Sequence, residues 1–262
     1  MTSDSPLGVG LTTATARAIL GSSERGGRAE QIAARLGQAI RLGLILDGEQ
    51  LPPEAQLAEQ LGIATVTLRE ALATLREQGL VATRRGRSGG TFARAPLDDE
   101  PDALPRRLRE FSTQDIRELS DHRSAISGMA AFLAAERALP NEIGGLQAQL
   151  DRLRAAKSLS ERRRADTQFT IEVAAAAQSS RLTQQEVLLR AEVGDLLWLQ
   201  RTDADHEESV ESRSQLIEAI RSRKAEQARE LAELHVATDT RRLLALRLEC
   251  YDDLLERQGP WP

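Results

Sequence analysis

The chain has 262 residues, 3% of them aromatic and 29% charged, with a net charge of -5 and a single cysteine, Cys250. That length buries one large core or two small ones, and a lone cysteine excludes an internal disulfide framework. No apolar run approaches the roughly 18 residues that span a bilayer, and the first residues lack the charged-then-apolar layout of a secretory signal, so a soluble cytoplasmic protein is expected. The acidic balance argues against a nucleic-acid partner, but its distribution does not. Residues 28–94 hold nine arginines against seven acids, and from Leu80 to Ala95 four arginines (Arg84, Arg85, Arg87, Arg94) occur with no acid. A local patch, not net charge, sets the field at a contact surface.

Residues 1–27 are rich in Ser, Thr and Gly with little periodicity and read as an arm. "RAEQIAARLGQAIRLG" places Ile32, Leu36, Ala39 and Ile40 at helical spacing, with Gly43 as a stop. "LILDGEQLPP" reads as a turn. The short "EAQLAEQLG" and "IATVTLREALATLREQG", with its stripe of Leu68, Leu72 and Leu75, then make two helices around a tight turn at Gly62. After Gly79 the pattern changes: "LVATRR" and "GGTFAR" are β-like runs flanking a glycine tip. Three helices and a two-stranded wing make a winged helix-turn-helix; a small α+β domain with a solvated hairpin is the plain alternative. "APLDDEPDALP" is a linker, and from about Leu108 to Gln258 the chain reads as helix. Breaks are expected near Pro140, Ser179, the acidic "RTDADHEES" and Ser222.

The fold class expected is therefore mainly α: a winged helix-turn-helix (α+β) followed by an all-α bundle of six or seven helices. The organisation is an arm over 1–27, a winged DNA-binding domain over 28–95, a linker over 96–106 and an all-helical domain over 107–258.

"LPPEAQLAEQLGIATVTLREALATLREQGLVATRRGRSGGTFA" resembles the signature of the GntR family of bacterial transcription regulators, and the helical part resembles the FadR-type effector domain (FCD) through "QDIRELSDHRSAI", "DTQFT" and "SRSQLIEAIRSRKAEQARELAELH". The resemblance implies a homodimer on double-stranded DNA with the helix from about Thr65 in the major groove, and it places Thr65, Thr67 and Arg69 at contact positions. Arg69 can bond a phosphate or read guanine; its plain alternative is an intrahelical pair with an acid. Arg84, Arg85 and Arg87 would meet phosphates, and Gly86 would let the wing backbone approach the minor groove. The sequence departs from the family at Ala64-Thr65, where Ser-Arg is usual, and at Ala55, often basic.

In the second domain many relatives hold a divalent metal through Asp, His, His and His. The matching positions here are Asp166, Thr170, Arg213 and His235, so two ligands of four are replaced and one replacement is a cation. No cofactor is expected; Asp166 and His235 remain as weak metal candidates. A guanidinium instead binds a carboxylate without metal, so the effector expected is a small organic acid, with Asp166 holding Arg213 and with Thr170, Arg123 and His235 as further donors. A buried Asp166–Arg213 pair with no ligand is the alternative. His206 falls in the acidic stretch, read as a loop. No nucleophile–base pair or phosphate loop supports an enzyme. The reading is a ligand-responsive regulator, usually a repressor in this family, on an inverted-repeat operator; its rival is a constitutive DNA-binding protein with a structural pocket.

Overall fold

The computed structural model describes residues 29–84, 86, 89–94 and 103–258. The N-terminal arm and most of the linker lie outside them. Helix α1 (Ala29–Arg41) buries Ile32, Leu36, Ala39 and Ile40. Helix α2 (Glu54–Leu61) ends at Gly62, whose left-handed backbone (φ 65) lets its N–H reach the carbonyls of Ala58 and Glu59. Helix α3 (Thr65–Glu77) starts at Ala64, which offers no side-chain cap, and buries Leu68, Ala71, Leu72 and Leu75 against α1.

Strand β1 (Val81–Arg84) pairs antiparallel with β2 (Gly90–Ala93), with Val81 opposite Ala93 and Arg84 opposite Gly90. The segment read as a turn does more than turn. Gln50 bridges Phe92, Leu51 N–H donates to the Thr91 carbonyl at 2.8 Å, and Ala93 N–H donates to the Glu49 carbonyl at 2.8 Å. Residues 49–51 thus cover the outer edge of β2, which would otherwise present unpaired backbone groups.

Seven α-helices follow among the described residues: α4 (Ala103–Glu110), α5 (Thr113–Arg137), α6 (Pro140–Ala155), α7 (Leu159–Ala176), α8 (Ser180–Val193), α9 (Asp203–Arg221) and α10 (Ala225–Gln258). A 3₁₀ turn, Leu196–Trp198, sits between α8 and α9. Helix α10 has 34 residues and so runs about 50 Å. Alanines on α5 and Gly128 let α10 come close: a Cβ at Gly128 would lie 2.8 Å from Glu233 Oε1. Phe169, Leu146, Leu150, Leu216 and Ile220 fill one core, and Trp198, Leu153, Leu196 and Leu243 fill a second. Among the described residues no helix is long and apolar enough to cross a membrane.

Three expectations are corrected. Residues 103–106, placed in the linker, are the first turn of α4. A break not foreseen falls at Ala156–Ser158, where Ser158 and Glu161 cap each other's backbone to open α7. The acidic stretch around His206 is not a loop. Asp203 and Asp205 occupy the first turn of α9, where carboxylates meet the positive end of the helix dipole, and His206 is buried there against Trp198.

The winged domain docks directly on the bundle. Ile171 of α7 and Val187 of α8 are buried in the winged domain's own core. Gln168 Nε2 donates to the Gly43 carbonyl at 2.5 Å, and Gln38 Nε2 donates to the Val187 carbonyl at 3.3 Å. Gly43 has φ 68, and a Cβ there would lie 2.5 Å from Arg164 Cδ, so this contact needs glycine twice over.

Candidate functional site

On α3, Thr65 and Thr67 are half-buried at the first turn and Arg69 is exposed. Arg69 does not pair within its own helix. Its Nε donates to Glu54 Oε2 of α2 at 2.7 Å, with side chains 66% and 40% exposed. A solvated pair of this kind contributes about 0–1 kcal/mol, so it leaves Arg69 free to leave for another anion. On the wing, the Arg84 guanidinium lies 4.6 Å over the Phe92 ring, a cation–π contact that sets its direction. Gly86 adopts φ 116, a conformation open to glycine. Arg85 and Arg87 lie outside the described residues.

The second site is buried where α5, α7, α8, α9 and α10 converge. Asp166 and Thr170 stand one turn apart on α7 and face Arg213 of α9 and Arg190 of α8. Asp166 Oδ1 accepts from Arg213 Nε at 3.0 Å and Nη2 at 2.7 Å. Its Oδ2 accepts from Arg190 Nη1 and Trp198 Nε1, both at 3.3 Å. Thr170 Oγ1 donates to the Asp166 carbonyl at 3.0 Å and accepts from Arg190 Nη2 at 2.8 Å. Arg213 Nη2 lies 2.6 Å from His235 Nε2, and its guanidinium sits 5.3 Å from the Phe169 ring centre. A guanidinium has no acceptor, so His235 Nε2 accepts and its proton is on Nδ1. Toward Arg213, His235 is thus an acceptor.

Arg123 also enters the cluster, one step away. It donates to Asp239 Oδ2 at 2.7 Å, while Arg201 bonds the other oxygen of Asp239 and donates to Ser209 Oγ at 2.7 Å. Arg190 further donates to Glu186 Oε1 at 3.2 Å, and Ser127 Oγ donates to Glu186 Oε2 at 2.8 Å. Arg190, Arg201, Glu186 and Asp239 were not foreseen. Their one trace in the sequence is spacing: Glu186 with Arg190 and His235 with Asp239 lie four apart on helices, a pattern shared with many solvated pairs.

Charges set the protonation states. Burial pushes the Asp166 carboxyl up, but Arg213 and Arg190 outweigh it and hold the group well below the usual range. Burial, then Arg213, pushes His235 down to about 3. Burial raises Asp239; the groups facing it, His235, Arg123 and Arg201, hold it low, and with His235 neutral the two guanidiniums carry that effect.

These residues do not fit a metal. The Arg213 guanidinium already bonds both surviving family ligands, Asp166 and His235, and among the described residues no three His, Cys, Asp or Glu side chains converge on a point. The cavity beside Thr170, Glu186, Arg190, Arg213 and His235 has about 20 Å³ of room, enough for a water. A groove of about 230 Å³ between α9 and α10 reaches His235 and Asp239 from outside.

A winged helix-turn-helix docked on a helical bundle with a buried ionic centre has the architecture of a two-domain regulator. Comparison with known proteins agrees. Residues 28–92 match the pattern of bacterial regulatory proteins of the gntR family, and residues 118–238 match the FCD domain. A protein described as the HTH-type transcriptional regulator RmpR of Mycobacterium gastri is 39% identical over 224 residues, 84% of this chain and 82% of that one. The Exu regulon transcriptional regulator of Escherichia coli K12 is 28% identical over 173 residues, 66% of this chain and 62% of that one. Among solved structures, E. coli McbR/YncC matches with a TM-score of 0.49 and 19% identity, over 86% of this chain and 99% of that one. The chain belongs to the GntR family, with an FCD domain as its helical part, and is a DNA-binding transcriptional regulator rather than an enzyme.

Proposed function

We propose that this regulator is a cytoplasmic repressor that binds an inverted-repeat operator as a homodimer and releases it when a small organic acid enters the helical domain. On DNA, α3 lies in the major groove with Thr65, Thr67 and Arg69 toward the bases and phosphates, while Arg84, Arg85, Gly86 and Arg87 carry the wing. Exposed Leu139, Leu188 and Leu234 on the bundle give apolar area for a second copy. The effector reading rests on one observation: the buried residues Arg123, Arg190 and Arg213, with the Arg201 side chain beside them, face three carboxylates (Asp166, Glu186, Asp239). One ligand carboxylate balances the cluster, and the expense of burying an uncompensated charge favours its binding. With so little free space, the acid has to draw Arg213 from Asp166, entering along the α9–α10 groove. The helices that then shift, α7 and α8, also carry Ile171 and Val187 into the winged domain, which is how binding reorients the DNA-reading surface.

The complete pairing of the cluster and its water-sized cavity favour a second reading, a constitutive DNA-binding protein with a structural centre. A panel of small mono- and dicarboxylic acids separates the two. On the effector reading, at least one acid raises the unfolding temperature and releases a labelled operator, and Arg213→Gln, checked for its fold by circular dichroism, loses that response. No response to any acid favours the constitutive protein; an unchanged response in Arg213→Gln removes the arginine's role.

A further inference from the structure

We infer that Val66 reads the 5-methyl group of a thymine and so helps set operator sequence. Val66 is the second residue of α3 and is 63% exposed, more than any other large apolar side chain among the described residues. At about 100° per residue it lies almost opposite the buried Leu68, Leu72 and Leu75, so it points straight away from the protein. The free protein gains nothing from it there. A β-branched residue on an exposed helix favours the helix less than alanine does, and its methyls meet water. Its neighbours do not shelter it: Ala64 is exposed on one side and Arg69, a turn further on, is 66% exposed.

The major groove explains the choice. Its base edges offer donors and acceptors throughout, and the one apolar feature is the thymine C5-methyl. Valine bonds none of the polar edges, so facing guanine, adenine or cytosine it leaves a desolvated group unpaired, while facing thymine it buries methyl against methyl. Its rotamer is stiff, which fixes the contact point. Val66 and Arg69 are three apart on one helix, with Cβ atoms about 5–6 Å apart. Base pairs rise about 3.4 Å, so the thymine falls one or two steps from the Arg69 contact.

The inference rests on the proposed placement of α3 in the major groove, and the test keeps the two apart. Full-length protein selects duplexes from a random pool; each thymine of the selected site is then replaced by deoxyuridine, which pairs identically but lacks the methyl. Binding is read by fluorescence anisotropy at fixed salt. Wild type should lose about fourfold at one thymine per half-site and about fifteenfold when both half-sites are changed. Val66→Ala, which removes an exposed side chain and keeps the helix, should bind thymine and uracil duplexes within twofold of each other. Indifference of wild type to uracil at every position, or full discrimination kept by Val66→Ala, overturns the inference. If Arg69→Ala weakens the same duplexes in that event, the groove placement stands without Val66; if Arg69→Ala also changes nothing, the placement falls too.

Discussion

Arg213 Nη2 lies 2.6 Å from His235 Nε2, and the same guanidinium grips Asp166 Oδ1 through two nitrogens. One arginine therefore joins the two residues that stand where the family resemblance puts metal ligands. A bridging guanidinium does part of a metal's work, neutralising the carboxylate and fixing the imidazole, but it does so as a permanent cation with no open coordination position. Everything around it follows that charge: Arg190 and Trp198 take the second oxygen of Asp166, and His235 is forced neutral.

The neutral imidazole makes stability depend on pH. His235 titrates at about 3 in the folded chain against 6.5 ordinarily, so below about pH 6.5 the unfolded chain binds a proton that the folded one does not. Stability is then full above that pH and falls, as pH drops, by up to roughly 1.4 kcal/mol per unit. Asp166 and Asp239, whose folded values are depressed, add their own losses only as pH falls below about 4. Between about pH 6 and 5 the histidines then set most of the slope of the thermal midpoint. Glu49, whose carboxyl burial raises, opposes it, and Glu161 and Glu218 join it only toward about pH 4.5. His235→Gln keeps an acceptor for Arg213 and should flatten most of the slope, leaving a remainder from His206, which burial also holds low. A slope unchanged by the substitution would mean that His235 is charged in the folded chain.

The two domains should share their stability through Ile171. That side chain is fully buried in the core of the winged domain although it belongs to α7. Ile171→Ala should cost about 2–5 kcal/mol and split thermal unfolding into two transitions, with the winged domain melting first. A single transition within a degree of wild type would show that the docking contact contributes little.

How far the sequence reveals this molecule depends on the range of the interaction. Period and punctuation are local, and the apolar stripe of α3, the left-handed Gly62 and the glycine wing follow from neighbours within a few residues. The missed break before α7 was also local: Ser158 and Glu161 form a capping box, as do Ser112 with Asp115 and Thr202 with Asp205, and treating the last pair as loop put His206 in the wrong place. The ionic cluster is another matter. Asp166 meets Arg190 and Arg213, and Arg123 meets Asp239, across dozens of residues. A buried arginine and a solvated one look alike in a helix, so the family resemblance pointed to the position of Arg213 but gave no sign of Arg190 or Arg201. The docking of Gln168 on Gly43 is equally silent, since a glutamine on a helix is most often a surface residue.

The sharpest check of Arg213 is to turn its site back toward metal. Asp166 and Thr170 lie on one face of α7, and the Arg213 guanidinium sits between Asp166 and His235. Replacing Thr170→His and Arg213→His together removes the bridging cation and offers three imidazoles with one carboxylate, a set of the N and O donors that zinc accepts in tetrahedral geometry. Two of the needed protonation states already exist, because Asp166 is ionised, with Arg190 still beside it, and His235 is neutral. Purified without chelators, wild type should carry far less than one equivalent of zinc, nickel or manganese by elemental analysis. The double variant should take up close to one equivalent of zinc, and zinc at a thousandfold over Kd should stabilise it by about 4 kcal/mol, reversibly on adding a chelator. Arg190 remains nearby and will weaken the site, so the readout is the difference between the two proteins rather than absolute affinity. Stoichiometric metal in wild type would show that Arg213 does not exclude it. A folded double variant that binds no zinc would show that the four positions do not converge as the Arg213 contacts indicate.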